Sequence, residues 1–324
     1  MTIPKIDTVP MNPRLSVILP VYNGMPYLRD TVESILRQTC ADFTFIIVND
    51  GSTDDSGSYL RSLTDPRIVL IDQPNQGQAA ARNTALRHCQ SEYVALTDQD
   101  DISTPNRLAT QLAFLDSHPQ VVMAGTQIEF LIGDVRQKAL PIPTGHHEIE
   151  ARLLQGRAGI CHASLMMRAQ AARACGGYPS GMMGEDVDFC LRMCEQGTVA
   201  NLDEVLFLYR LHAGQASQAK SRDIVRAIRF AAHRALRRRS GQTEPDFAEF
   251  LRQSSLLDRY RWSVEAWELT QYRSARILIA SERRFLGFAR LALLALCRPV
   301  AVMRRAMQTV WHLIAGYAQL ANSK

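Results

Sequence analysis

Three aspartates, Asp98, Asp100 and Asp101, stand within four residues directly after the apolar run Tyr93-Val94-Ala95-Leu96. Carboxylates set that close repel one another and raise each other's pKa unless a cation neutralises them. Hard oxygen donors at a strand end suit Mg²⁺ or Mn²⁺, which take one or two carboxylates and complete the shell with substrate phosphates and water. The plainer reading is an acidic loop leading into a helix N-terminus, where aspartate is favoured anyway. A second acidic group, Glu185-Asp186 with Asp188, opens a helical run through Phe189-Cys190-Leu191-Arg192-Met193. Either these residues cap the helix and favour its dipole, or one of them is a general base that accepts the proton of an attacking hydroxyl. A third group, Tyr209-Arg210-Leu211-His212 with Ser217 beyond it, follows the apolar segment Val205 to Leu208. It is either surface decoration or a closure over a phosphate-bound metal, with Arg210 or His212 meeting a diphosphate.

Strands and helices must carry these groups to one place. Leu15 to Leu19, ending at Pro20, and Phe43 to Val48 are short β-branched apolar runs, as expected of strands buried on both faces. Between them Leu28, Val32, Ile35 and Leu36 give Tyr27 to Gln38 helical spacing, so the unit is strand, helix, strand and the sheet is parallel. The alternation continues through Ile68 to Ile71, Gln78 to His88 and Tyr93 to Thr97. Thr104 is then expected to cap a helix begun by Pro105, with Leu108, Leu112 and Leu115 as its apolar stripe. This pattern predicts a doubly wound α/β fold whose ligands bind at the carboxyl ends of the strands. The residues found there are Pro20 to Gly24, Asn49 to Asp55 and Asp98 to Asp101. No GxGxxG turn follows the first strand and no GxxxxGK[ST] loop occurs, which disfavours a dinucleotide or P-loop cradle and leaves a metal to neutralise a ligand's phosphates.

A chain of 324 residues with 46% apolar content has room for one catalytic domain and an appendage. Its seven cysteines are an odd number without paired spacing, which points to a reducing compartment, and Cys190 and Cys194, one helical turn apart, read as buried thiols rather than metal ligands. Met1 to Arg14 is polar and lacks the apolar stretch of a secretory signal. The uncharged run Ala306 to Ser323 is interrupted by Gln308, His312 and Gln319 and makes a poor spanning helix. The expected location is therefore cytoplasmic.

Five motifs occur in order: Ser16-Val17-Ile18-Leu19-Pro20-Val21-Tyr22-Asn23-Gly24, Val48-Asn49-Asp50-Gly51-Ser52-Thr53-Asp54-Asp55, Asn75-Gln76-Gly77 with Ala81-Arg82-Asn83, Asp98-Gln99-Asp100-Asp101, and Gly184-Glu185-Asp186. Over roughly residues 14–215 the chain resembles glycosyltransferase family 2, of the GT-A fold. The resemblance implies an inverting enzyme that moves a sugar from a nucleotide diphosphate donor, a UDP- or dTDP-sugar, to an acceptor hydroxyl with Mn²⁺ or Mg²⁺. It implies that Pro20, Tyr22, Asn23, Asp50 and Arg82 bind the nucleotide, that Asp98 faces the donor's ribose or sugar, and that Asp100 binds the metal. Asp186 becomes the catalytic base, and His212 a further contact to metal or diphosphate. His162, Ser164, Glu185 and Arg210 are the implied acceptor or diphosphate contacts. Many members carry a Glu after the YNG-type turn where Met25-Pro26 stands here. The implied division is an arm at 1–13, a catalytic domain at 14–218 with a donor half at 14–101 and an acceptor half at 102–218, and a helical basic region at 219–324.

Residues 221–324 hold 19 Lys or Arg against 8 Asp or Glu, whereas residues 1–220 hold 18 against 24. Arg222, Arg226, Arg229, His233 and Arg237 form a basic stripe at helical spacing, opposed by Val225, Ile228, Ala232 and Leu236. Phe285 to Phe288 and Leu291 to Leu296 are flanked by Arg283, Arg284, Arg290, Arg298, Arg304 and Arg305. Basic residues beside apolar, aromatic-bearing helices make an interfacial surface for anionic lipid, here the inner face of the cell membrane. The alternative is an oligomerisation or acceptor-docking domain. A nucleic-acid partner is not expected, because no recognised module accompanies the Arg238-Arg239 run. Surface polysaccharide or lipid-linked glycan assembly follows by analogy with the family alone. Two other functions compete. A nucleotidyltransferase would carry a Gly-rich basic loop where Val21-Tyr22-Asn23-Gly24 stands, and a non-catalytic nucleotide-sugar binder would need no base.

Overall fold

The computed structural model describes residues 13–212, 221–280 and 283–298. Ser217, Arg304, Arg305, the run 306–323 and most of the arm at 1–13 lie outside the described residues. A curled mixed sheet of nine strands carries the fold, in the order β3-β2-β1-β4-β8-β6-β9-β5, with β7 pairing β6. Its parallel core is β1 (Leu15–Val21), β2 (Thr44–Asp50), β3 (Ile68–Gln73) and β4 (Tyr93–Leu96). Successive side chains of β1 go to opposite faces, as the pleat requires. Leu15, Val17, Leu19 and Val21 pack beneath α1 (Leu28–Leu36), α2 (Ser56–Arg61) and α4 (Arg107–Ser117). Ile18 packs on the other side with α3 (Gln78–His88), α5 (His146–Leu154), α6 (Ala169–Ala174) and α7 (Glu185–Gln196). Pro20 sits inside β1 without breaking the sheet. The last β4-side bond of β1 is Thr97 N–H to the Ile18 carbonyl, so Pro20's missing donor falls just beyond the end of β4.

The second half extends this sheet. β8 (Met166–Arg168) is antiparallel to both β4 and β6 (Val121–Ile132), so β6 runs the same way as β4. β9 (Thr198–Arg210) is parallel to β6, β5 (Ile102–Ser103) pairs antiparallel with β9, and β7 (Val135–Lys138) closes a hairpin on β6. Two consequences follow for the site. Arg210 to His212 emerge at the same sheet edge as the Asp98 loop. α7, which leads through Gly197 into the start of β9, begins at that edge too. The first turn of α7 carries Glu185, Asp186 and Asp188, and Asp186 Oδ1 accepts the Val187 amide at 2.8 Å. Its N-cap is Gly184 at φ 76°, where a Cβ would lie 2.9 Å from the Ala227 carbonyl carbon.

Thr104 does not cap α4. The helix begins at Arg107 with Asn106 at the N-cap, and the Thr104 hydroxyl and amide both donate to the Leu206 carbonyl, tying the loop to β9. Cys190 and Cys194 are buried thiols, the latter pushed up to about 12 by burial.

Beyond the sheet lie α8 (Ser221–Arg239), α9 (Phe247–Gln253), α10 (Leu256–Ala280) and α11 (Arg284–Cys297). The basic stripe expected on α8 is not a free surface. Of its members, Arg226 pairs with Asp223 at 3.8 Å, Arg229 with Glu265 of α10 at 2.8 Å, His233 lies against the Phe250 ring and Arg237 donates to the Thr243 carbonyl at 3.2 Å, while Arg222 is exposed. The neighbouring Arg234, Arg238 and Arg239 pair with Asp188, Glu195 and Glu150. The buried side of α8 is Val225, Ala227, Phe230, Ala231, Ala232 and Ala235, so Val225 and Ala232 of the expected apolar face are buried while Leu236 is exposed. Packing against α7 selects a face that charge spacing alone did not reveal.

Candidate functional site

The site forms where the carboxyl edge of β1, β2 and β4 meets the end of β9 and the start of α7. Its central side chain is Arg82 of α3, 3% exposed. One Nη donates to Asp98 Oδ1 at 2.8 Å and the other reaches Glu185 Oε1 at 3.4 Å. Two acidic groups 87 residues apart in the chain thus share one guanidinium. Burial alone would raise the Asp98 carboxyl, but Arg82 holds it below the usual range. Glu185 goes the other way, raised by burial and by the neighbouring Asp186. Arg82 also lies over the Tyr178 ring, 5.5 Å from its centroid.

Tyr178 was not singled out by the sequence. Its hydroxyl meets His162 Nε2 at 2.9 Å, and its ring stacks on Phe189 at 4.3 Å. Asn83 clamps its backbone, accepting from the amide at 2.8 Å and donating to the carbonyl at 2.7 Å. In the Ala81-Arg82-Asn83 motif, Asn83 therefore binds the second half of the fold and Arg82 bridges the two halves. A signal was present in Gly176-Gly177-Tyr178, whose two glycines both have positive φ. His162, in a 3-10 turn at His162–Ser164, is lowered to about 4 by burial and by Arg82, so it is neutral at pH 7. Ser164 is fully buried. Its hydroxyl donates to the Cys161 carbonyl and accepts from the Thr126 amide, so the expected acceptor contact is corrected to an internal one.

At the other side of the cleft, Asp100 Oδ2 and His212 Nε2 stand 3.0 Å apart. Asp101 is buried and raised well above the usual carboxylate range by burial, Asp100 and Asp98. Its Oδ1 accepts the Arg210 amide at 2.8 Å, and its Oδ2 has no hydrogen-bond partner among the described residues. Arg210 is itself buried: Nε donates to the Asp100 carbonyl at 2.7 Å, Nη2 pairs with Asp30 at 2.9 Å, and the guanidinium rests on Tyr27 at 4.6 Å. These contacts hold the aspartate loop in shape, and they occupy the face expected to meet a diphosphate.

The loops after β1 and β2 are tied together. Asn23, at φ 51°, accepts from the Thr53 amide at 2.8 Å, and Gly24 N–H donates to Ser56 Oγ at 2.8 Å. Both oxygens of Asp50 are engaged, Oδ1 by Gln73 and the Gln76 amide and Oδ2 by the Gly77 amide at 2.8 Å. Asp50 thereby fixes the entry to α3, and with it Arg82. Pro20 is buried in β1, whereas Tyr22 is 44% exposed, held by paired bonds between its backbone and Gln99. Gln99 is a second residue that sequence reasoning passed over, since its partner is a main-chain segment 77 residues away.

Comparison with known proteins agrees with this architecture. Residues 16–176 match the family model described as glycosyl transferase family 2. The putative glycosyltransferase EpsE of Bacillus subtilis is 34% identical over 209 residues, which cover 61% of this chain and 73% of that protein. Among solved structures, S. aureus TarS 1-349 in complex with UDP-GlcNAc superposes with a TM-score of 0.57 at 17% identity, covering 86% of this chain and 88% of that one. The mannosyltransferase PcManGT from Pyrobaculum calidifontis, in complex with GDP-Man and Mn²⁺, gives 0.56 at 19% identity over 95% and 86%. At these identities the structural likeness speaks for the fold.

Proposed function

This chain belongs to glycosyltransferase family 2, and we propose that it moves a sugar from a UDP- or dTDP-sugar to an acceptor hydroxyl with inversion at the anomeric carbon. The observation that carries the reading is the Arg82 bridge between Asp98 and Glu185, which sets the aspartate loop and the first turn of α7 around one cleft. A binder has no use for a separate carboxylate at Asp186, whereas a displacement by a hydroxyl requires a group to take its proton.

Residues 14–101 hold the donor. Tyr22 offers its exposed ring to the base, and Asp50, Asn23 and Pro20 fix the loops around it. The cation site fits Mn²⁺ or Mg²⁺, because Asp100 and His212 already converge, Asp98 is adjacent and a buried oxygen of Asp101 lacks a partner among the described residues. When bound, the cation neutralises charge growing on the departing diphosphate. Residues 102–218 supply the acceptor side, where Asp186 accepts the hydroxyl proton. Neutral His162 meets the acceptor as a hydrogen-bonding group, and Glu185 orients Arg82. The acceptor is a glycan or lipid-linked glycan of surface polysaccharide assembly, met at the cytoplasmic face of the membrane, and the region 219–324 makes that contact. No described helix is long and apolar enough to cross a bilayer.

The test is calorimetry of UDP-, dTDP- and GDP-sugars with and without Mn²⁺, followed by NMR assignment of the product's anomeric configuration. Binding of none of them, or retention of configuration, sinks the proposal.

A further inference from the structure

α11 differs from every other helix in the fold. It turns Gly287, Leu291, Leu294 and Ala295 toward α10, and the contact is close. A Cβ on Gly287 would lie 2.6 Å from Ile279 Cγ1 and 2.8 Å from the Ala275 carbonyl oxygen. At a period of 3.6 residues the opposite stripe is Phe285, Leu286, Ala289, Ala292, Leu293 and Leu296, all exposed. Phe285 is 84% exposed and Leu296 82%. A helix that packs one apolar face and leaves a second exposed carries a contiguous apolar patch, and such a patch on a surface marks what it meets.

Charge decides what covers it. From Arg283 to Lys324 the sequence holds seven Lys or Arg and no Asp or Glu. On α11 itself, Arg284 and Arg290 are exposed beside the apolar stripe. A second copy of the chain would bring the same basic stripe against itself across an isologous interface, which opposes the contact. An anionic bilayer supplies both the apolar layer and the opposite charge. Arg229, Arg234, Arg238 and Arg239 of α8 are paired internally, and Arg298 pairs with Glu268 at 2.6 Å, whereas Arg284 and Arg290 of α11 are exposed to solvent.

We propose that the outward stripe of α11 inserts into the headgroup–acyl boundary of an anionic lipid bilayer, lying in its plane with Arg284 and Arg290 at the lipid phosphates. The helix has 14 residues. At 1.5 Å per residue that is about 21 Å, too short for a hydrocarbon core of about 30 Å. Its location bears on the reaction proposed above. α10 leans on the β6–β7 hairpin through Arg276, which donates to Gln137 at 3.1 Å and to the Lys138 carbonyl at 3.0 Å and lies over Phe130 at 4.5 Å. That hairpin rises at the same sheet edge as Asp100 and His212, so α10 ties the stripe-bearing helix to the edge that carries the site. An acceptor anchored in the membrane by its own apolar chain is therefore the class this geometry serves. This last step rests on the proposed function, whereas the lipid contact does not.

The test uses the full chain, sedimented with vesicles of phosphatidylcholine alone or with phosphatidylglycerol. It should bind the anionic vesicles only, and leave them at 1 M salt, where the Debye length is about 3 Å. The exposed pair Phe285→Glu and Leu293→Glu should lower partitioning by at least roughly tenfold, since each side chain loses an apolar contact with the bilayer. Arg284→Glu with Arg290→Glu should weaken it by a comparable factor on anionic vesicles. Melting curves and UDP calorimetry of each variant should match the parent, which separates a lost surface from a lost fold. Failure of the full chain to bind anionic vesicles overturns the proposal, as does unchanged binding by the Phe285→Glu, Leu293→Glu variant. A dimer that this variant dissociates, in a chain that ignores vesicles, assigns the stripe to a second copy instead. Loss of turnover with vesicle binding intact counts against the proposed reaction and not against this contact.

Discussion

The sheet region, residues 14–212, and the α10–α11 hairpin treat charge and apolar surface in opposite ways. In the sheet region the charges are inside. Arg107 is fully buried, with its guanidinium donating to the Leu96 and Leu165 carbonyls, Ser103 Oγ and Gln111 Oε1. Asp188 is likewise buried, paired with Arg192 and Arg234. In the hairpin the buried apolar residues are Ala266, Ala275 and Leu294, while Leu256, Phe285 and Leu296 are more than 80% exposed. A region that buries hydrogen-bonded charged side chains can hold a small, highly charged ligand in a fixed geometry. A region with arginines and apolar side chains on its outside completes its packing against something larger than itself.

The most severe way to break the first half of that comparison is to remove the proposed base. Asp186→Asn should leave donor binding intact while lowering kcat by roughly 10²–10⁴-fold, the usual worth of a positioned general base. If donor affinity falls instead and turnover survives, the base lies elsewhere in the cleft. Next in size is Arg107→Ala, which removes the guanidinium donors from the Leu96 carbonyl, Ser103 Oγ and Gln111 Oε1 in the core, while the Leu165 carbonyl keeps the Leu96 amide. Breaking a buried charged network of this kind costs about 3–5 kcal/mol, to be read from urea unfolding. A change within about 0.5 kcal/mol, the range of ordinary surface substitutions, would mean the interior polar network does not hold the sheet. Asp100→Ala should then abolish the Mn²⁺-dependent part of UDP binding, with at least a tenfold loss of affinity, because the diphosphate loses its bridge to the protein. Equal UDP affinity for parent and mutant, with and without Mn²⁺, removes Asp100 from the metal site.

The boundary between the two regions can itself be tested. Ala235 of α8 belongs to the same apolar cluster as the sheet, and Ala227 lies against Gly184 at the start of α7. A chain ended at residue 220 should therefore melt well below the full chain, and one ended at residue 282 much closer to it. Equal melting of both truncations would place α8 with the hairpin.

How far the sequence reached depended on the range of each signal. The strands β1, β2 and β4 and the loops after them were legible, because buried parallel strands are continuous apolar runs and their carboxyl ends are marked by polar residues. β8, three residues long and antiparallel between β4 and β6, had no local signature. The partners of Arg82 and Arg210 were illegible for a related reason. An arginine's type announces that it will find an anion or a carbonyl, while the fold decides which, at separations of 16, 103 and 180 residues. Thr104 and the α8 stripe misled in the same way: a capping residue and a charged face were both present, and tertiary contacts took their side chains first.

The finest contrast is between His162 of the sheet region and His233 of α8, the helix that joins it to the hairpin. His162 lies among Arg82, Asp98, Asp186, Tyr178 and Phe189, and burial with the Arg82 charge lowers it to about 4 from an ordinary 6.5. His233, between Phe250 and Arg237 on α8, is also lowered, by burial and Arg237, but its ring is opposed by fewer fixed charges. Both are neutral in the folded protein near pH 7. As pH falls from 6.5 toward 4, the unfolded chain takes up a proton at His162 that the folded chain refuses, so stability falls through that window, and His233 contributes a loss of the same sign as pH falls below 6.5. Below about 4 both states carry the proton at His162 and its contribution to the slope ends. Replacing His162 with Gln keeps a polar group within reach of the Tyr178 hydroxyl and removes the titration. Melting temperature plotted between pH 4 and 7 should therefore fall less steeply in His162→Gln than in the parent. His233→Gln should flatten it by a smaller amount. If His233→Gln flattens the curve as much as His162→Gln, the packed charges around Arg82 do not set the sheet region apart.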